Sequence, residues 1–184
     1  MEVISTPLKD CYVLKPKQIE DQRGVFAETY QKQLLEEKTG FKNEFVQDNQ
    51  SSSKANVLRG FHIQQGAFAQ TKLVRVVQGK VWDVVVDVRK NSPSFLKHFA
   101  LEISAENQLQ LLIPRGFLHA FLSLEDQSIF CYKCDAYYHK ASESGVRFDD
   151  SSLAIDWPIS KGRMILSEKD QELLSLEDFL KQQQ

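Results

Sequence analysis

The stretch from Gln47 to Lys72 concentrates residue types suited to proton transfer on an anionic molecule. It holds Gln47-Asp48-Asn49, then Val57-Leu58-Arg59-Gly60-Phe61-His62-Ile63-Gln64, then Lys72 at the head of Lys72-Leu73-Val74-Arg75. An arginine binds phosphate through paired N–H donors, a histidine moves protons near neutral pH, and a lysine stabilises a developing oxyanion. A lone histidine in a strand is more often structural than catalytic. His62 has Arg59 three residues before it and Gln64 two after, so His62 and Gln64 share a strand face. Those neighbours make it a candidate general base, provided another group orients its ring.

Other polar residues could complete such a site, each with a plainer alternative. Lys72 also reads as a solvated strand-end lysine. Tyr132, Tyr137 and Tyr138 read as packing residues, although a phenol is an adequate acid beside a developing carbanion. Asp170 reads as a helix cap within Ser167-Glu168-Lys169-Asp170, and its carboxylate has lone pairs left to orient His62. The cluster Asp21-Gln22-Arg23-Gly24-Val25-Phe26-Ala27-Glu28 reads first as a surface turn with a salt-bridging arginine. The pair Cys131-Tyr132-Lys133-Cys134 has redox-motif spacing, but on a strand the two sulfurs diverge, so two ordinary strand cysteines are expected. With four histidines in the chain and no second cysteine pair, the ligand types argue against a metal site.

The elements that must position these groups are mostly strands. Lys72–Val77 and Lys80–Arg89, β-branched and separated by Gln78-Gly79, read as a hairpin. Further strands are expected at 99–103, 108–113, 120–124 and 128–134, with turns at Asn91-Ser92-Pro93, Glu106-Asn107, Pro114-Arg115-Gly116 and Glu125-Asp126. Ser51–Ser53 reads as a short loop. Residues 31–39 read as a helix ended by Gly40, and Ser167 as the cap of a C-terminal helix running through Leu180. Many short strands at regular spacing predict an antiparallel sandwich or barrel.

No linker or repeat divides the 184 residues, so one domain over 1–184 is expected. A net charge of −2 gives no overall pull toward nucleic acid or anionic lipid, so an anion must be met by local arginines and lysines. The N-terminal residues lack the basic and apolar regions of a signal peptide, and no apolar run is long enough to span a membrane. A cytoplasmic location with reduced thiols is the expectation.

The ordered pattern of motifs resembles the dTDP-4-dehydrorhamnose 3,5-epimerases, the RmlC-type cupins. It is carried by Asp21-x-Arg23-Gly24-x-Phe26-x-Glu28, Phe45-Val46-Gln47-Asp48-Asn49, Val57-Leu58-Arg59-Gly60-Phe61-His62-x-Gln64 and Lys72-Leu73-Val74-Arg75. It continues through Asp83-Val84-x-Val86-Asp87-x-Arg89, Ile113-Pro114-x-Gly116-Phe117-x-His119, Tyr132-Lys133, Tyr137-Tyr138, Asp156-Trp157-Pro158 and Leu166-Ser167-x-Lys169-Asp170. The resemblance implies an all-β cupin jelly roll with short peripheral helices, a homodimer, a nucleotide-sugar substrate and no cofactor. It implies His62 as base held by Asp170, Tyr132 as acid on the opposite face of the sugar, and Lys72 near the C4 carbonyl oxygen. Arg23, Glu28, Gln47, Asp48, Asn49, Arg59 and His119 would hold the nucleotide diphosphate and sugar, Tyr138 would flank the nucleotide, and Glu143 and Lys169 would add contacts. The implied reaction inverts C3 and C5 of dTDP-4-dehydro-6-deoxy-D-glucose, whose own ketone takes up the electrons. Inversion of C3 alone, ketone isomerisation and non-catalytic nucleotide-sugar binding are the alternatives. Two departures stand out: Ala120 in His119-Ala120-Phe121, where a glycine is usual, and Cys134-Asp135-Ala136 before the tyrosine pair.

Overall fold

The computed structural model describes residues 1–183. In chain order the strands are β1 (Glu2–Ser5), β2 (Tyr12–Lys15), β3 (Gln18–Asp21), β4 (Gly24–Ala27), β5 (Gln47–Ser53), β6 (Leu58–Gln64) and β7 (Lys72–Gln78). They continue with β8 (Lys80–Asp87), β9 (His98–Ser104), β10 (Gln110–Ile113), β11 (Phe117–Ser123), β12 (Ser128–Cys134) and β13 (Glu143–Gly145). The helices are α1 (Lys32–Thr39), α2 (Glu168–Gln171) and α3 (Leu176–Lys181). One sheet has the order β1-β2-β10-β7-β12-β5, a second β13-β6-β11-β8-β9, and β3–β4 forms a two-stranded sheet of its own. The pairings within these sheets are antiparallel, as the jelly-roll reading requires. Among the described residues no helix is long and apolar enough to cross a membrane.

Strand alternation sorts the apolar residues into three packed layers. Val74, Val76, Leu111, Ile113 and Phe130 of the first sheet meet Val81, Val85, Ile103, Phe117 and Phe121 of the second. The outer face of the second sheet, with Leu58, Phe61, Ile63, Val84 and Val86, is covered by Leu153, Trp157, Met164, Leu176 and Phe179 from the C-terminal segment. β8 is therefore buried on both faces, which is why Val84-Val85-Val86 is a continuous apolar run. On the other side, Leu35 of α1 packs on Leu14, Leu73 and Leu112.

The strands fall where β-branched and apolar density places them, but one pairing differs from expectation. β7 and β8 are not a hairpin: they lie in different sheets, β7 between β10 and β12, β8 between β11 and β9. Gly79 alone separates them, one residue fewer than the shortest common hairpin loop, so the chain crosses between sheets instead. Gly79 has φ +72, and a Cβ there would meet Ser128 Oγ at 2.5 Å. Ser51–Ser53 is not a loop either. It ends β5, in register with Phe130, Ile129 and Ser128 of β12.

Helix α1 begins at the Gln31 cap and ends at Gly40 in the left-handed region, as predicted. The C-terminal helix is two pieces. Ser167 Oγ accepts the Asp170 N–H at 3.2 Å and caps α2, but the helix stops at Gln171. Leu174 then bridges Val146, with the Arg147 N–H donating to the Leu174 carbonyl at 2.9 Å, and Ser175 caps α3 afresh. A tertiary bridge interrupts what helix periodicity alone would continue.

Candidate active site

A local irregularity in β6 decides which side chains meet. His62 pairs with His119, and Arg59 pairs with Phe121. Two residues of β6, Gly60 and Phe61, thus oppose one of β11, Ala120, which is a β-bulge. On a regular strand, residues three apart face opposite ways. The extra residue brings Arg59 and His62 to the same face, while Leu58, Phe61 and Ile63 enter the core behind. Gly60 is required there. Its φ is +110, and a Cβ would lie 2.4 Å from the His119 carbonyl oxygen and 2.9 Å from the Ala120 methyl. The substitution of Ala120 for the usual glycine sits at this close approach.

Arg59, His62, Lys72, His119, Tyr132, Lys169 and Asp170 line one cavity of about 320 Å³. They come from β6, β7, β11, β12 and α2. His62 Nε2 lies 2.5 Å from Asp170 Oδ1, so the carboxylate orients the ring, and Nδ1 makes no hydrogen bond to another described residue. Asp170 both continues α2 and holds His62, two roles that use its backbone and its side chain separately. Burial alone would raise its pKa, but the His62 hydrogen bond and charge, with Ser167 and Lys169, hold it below the ordinary carboxylate value.

Lys72 Nζ sits over the Tyr132 ring, 5.8 Å from its centroid. Burial pulls the Lys72 ammonium below its usual pKa, against a smaller upward pull from Cys134, Glu143 and Asp83. Burial raises the Tyr132 phenol, helped by Cys134 and Glu143 and opposed by Arg59, so it stays protonated well into alkaline solution. Beside the cavity, Glu143 Oε2 accepts from Tyr138 at 2.7 Å and pairs with Lys169 Nζ at 2.6 Å. Burial would raise the Glu143 carboxyl, but these two contacts hold it below its ordinary value. Gln47 and Asn49 share one face of β5: the Gln47 side-chain amide donates to Asn49 Oδ1 at 2.9 Å, and Gln47 Oε1 accepts the Tyr138 backbone N–H at 2.9 Å.

Of the expected binding residues only Arg59, His119 and Lys169 line this cavity; Gln47, Asn49, Tyr138 and Glu143 lie outside its lining, as do Asp48, Arg23 and Glu28. Asp48 alternates to the opposite face of β5, where Lys133 Nζ pairs with it at 2.7 Å. Arg23 lies at the tip of the β3–β4 hairpin, paired with Asp21 at 2.5 Å and 85% exposed, which is the surface-turn reading. Glu28 follows that hairpin. Gln50, Ser51, Phe121, Phe130 and Ser167 also line the cavity, although the sequence did not mark them as site residues. Period-two spacing from Tyr132 and His119 points to Phe130 and Phe121, whereas Ser51 carried no signal once read as loop. Cys131 and Cys134 are unbridged, and their contacts go to different residues, Gln50 and Asn49. Burial pushes the Cys134 thiol up to about 11, so it is no nucleophile at neutral pH. Among the described residues no three His, Cys, Asp or Glu side chains gather as a metal-binding group.

The family model for dTDP-4-dehydrorhamnose 3,5-epimerase matches residues 5–178. The chain belongs to the dTDP-4-dehydrorhamnose 3,5-epimerase family. A relative of that name from Escherichia coli K12 is 46% identical over 98% of this chain and 97% of its own length. The crystal structure of such an epimerase from Elizabethkingia anophelis is 52% identical, with 97% of each chain covered and a TM-score of 0.94. A third, the dTDP-6-deoxy-D-glucose-3,5-epimerase RmlC of Legionella pneumophila in complex with dTDP-4-keto-L-rhamnose, is 41% identical with a TM-score of 0.91 and covers 96% of this chain and 93% of its own. Membership makes this chain a carbohydrate epimerase of the isomerase class.

Proposed function

We propose that the cavity of this epimerase takes dTDP-4-dehydro-6-deoxy-D-glucose and inverts C3 and C5 by deprotonation and reprotonation beside the C4 ketone. The observation that carries the assignment of roles is the His62–Asp170 contact in a cavity also lined by Lys72 and Tyr132. His62 removes a proton α to the ketone, and Asp170 fixes its ring. The resulting enolate gathers charge on O4, where the ammonium of Lys72 stabilises it; losing one such contact costs about 3 kcal/mol. Tyr132 returns a proton to the opposite face of the carbon, which produces inversion. Arg59 meets the diphosphate, Gln47, Asn49 and His119 contact the substrate, and Tyr138, Glu143 and Lys169 close its edge. The substrate's own ketone takes up the electron pair, so this chemistry calls for no cofactor.

We place the enzyme in the cytoplasm as a homodimer of single-domain chains. Unbridged cysteines support a reducing compartment. Ile19, Val25 and Phe26 stand 54%, 53% and 67% exposed on the separate β3–β4 hairpin, an apolar patch suited to a second copy. Docked there, the hairpin would carry Arg23 and Glu28 toward a neighbour's anionic substrate.

Proton NMR in deuterated water tests the reaction. Exchange at both C3 and C5 is expected, and exchange at C3 alone would make this chain a mono-epimerase. His62→Ala is expected to abolish turnover while dTDP still binds. Near-normal turnover in that variant would sink the assignment of the base.

A further inference from the structure

The cavity wall contains a second histidine–aspartate contact. His119, the cross-strand partner of His62, places Nε2 at 2.8 Å from Oδ2 of Asp83 on β8. Asp83 is opposite Phe121, so His119 is its diagonal neighbour on the same sheet face. The Asp83 side chain is fully buried, and its Oδ1 has no hydrogen-bond partner among the described residues. A carboxylate with one oxygen unpaired in an apolar core costs stability. Its neighbours along the strand on that face, Val81 and Val85, are core residues, so packing gives no reason for the charge.

We propose that Asp83 is a positioning residue that holds His119 in the tautomer with a proton on Nε2, so that Nδ1 is a bare acceptor for a hydroxyl of the hexose. A neutral imidazole has one donor and one acceptor nitrogen. A carboxylate against Nε2 can only accept, which assigns the proton to Nε2 and the lone pair to Nδ1. Nδ1 makes no hydrogen bond to a described residue. Phe121 and Phe130 flank the ring at centroid distances of 6.5 and 6.0 Å, and these apolar neighbours leave its other nitrogen for the cavity. The chemistry complements the surrounding cations. Arg59, Lys72 and Lys169 are donors only, fit for phosphate and ketone oxygens, whereas an acceptor nitrogen reads an O–H. A site built to bond a hydroxyl rejects the analogue that lacks it.

This inference rests on the nucleotide-sugar reading for its ligand, but its first test needs no substrate. Nitrogen-15 NMR of the neutral His119 ring in the full-length protein is expected to show Nε2–H and bare Nδ1. The opposite tautomer overturns the proposal, whatever the enzyme's activity. In Asp83→Asn, whose amide can donate to Nε2, the ring is expected to move toward the Nδ1–H form. There kcat/KM for the sugar nucleotide should fall about 10- to 100-fold with dTDP affinity unchanged. A substrate analogue lacking the hydroxyl that His119 reads, at C2 or C3, should be handled equally by wild type and variant. An unchanged tautomer with an unchanged kcat/KM in Asp83→Asn also overturns the proposal. If that variant does not fold, the wild-type tautomer decides alone. Absence of epimerase activity together with the expected tautomer would instead count against the functional reading.

Discussion

Replacing Asp170 by Asn separates the base from the group that holds it. The contact at risk is the 2.5 Å approach of Asp170 Oδ1 to His62 Nε2, made by a side chain that is 5% exposed. A hydrogen bond to a charged group contributes about 1.5–3 kcal/mol. At 1.36 kcal/mol per tenfold, its loss from the transition state predicts a fall in kcat/KM of roughly 10- to 150-fold. The fall becomes larger if the asparagine amide donates to Nε2 and leaves His62 in the wrong tautomer, as happens in serine proteases. The cap of α2 survives, because Ser167 Oγ binds the backbone N–H of residue 170 and not its side chain. Stability should change with pH in a defined sense. The folded Asp170 pKa is lowered, so its stabilisation is complete above the unfolded value of 3.8 and is lost as pH falls through the folded value. Wild type should lose that increment in acid, and Asp170→Asn should lack it at neutral pH. Steady-state kinetics, deuterium incorporation into the sugar and thermal unfolding at pH 7 and pH 3 provide the assay. A less than threefold effect on kcat/KM, with a variant that binds dTDP normally, would refute the orienting role.

Lys72 should set the alkaline limit of activity. Burial lowers its pKa from the ordinary lysine value, so the ammonium is lost earlier than from a free lysine, while burial raises the Tyr132 phenol and delays its ionisation. A kcat profile in Lys72→Arg should extend to higher pH, and Lys72→Met should cost about 10²- to 10³-fold in kcat. Tyr132→Phe should keep washing deuterium into the substrate while losing inverted product by roughly 10²- to 10⁴-fold, read by NMR of product stereochemistry. Gly60→Ala should destabilise the protein by roughly 2–6 kcal/mol through left-handed strain and overpacking against the His119 carbonyl, read by denaturant unfolding.

Residue type, order and the family resemblance they carry pointed to the chemistry proposed for this protein. His62, Lys72, Tyr132 and Asp170 were candidates because acid–base work needs those functional groups, and the fold brings all four to one cavity. Strand content was legible because β-branched runs favour the extended backbone wherever they pack. Pairing was not, because it depends on partners far away in sequence: Gly79 marks a real turn, yet only the competing ladders of β10, β11 and β12 send its two strands into different sheets. The same holds within the site. The sequence placed Asp48 between Gln47 and Asn49, and strand alternation in the folded sheet turned it away toward Lys133. Arg59 and His62, three apart, would diverge on a regular strand. Only the bulge at Gly60, forced by the pairing of β6 with β11, aims both into the cavity. Asp83 stood in a family motif with no role attached, since burial and an unpaired oxygen are properties of the packed structure alone.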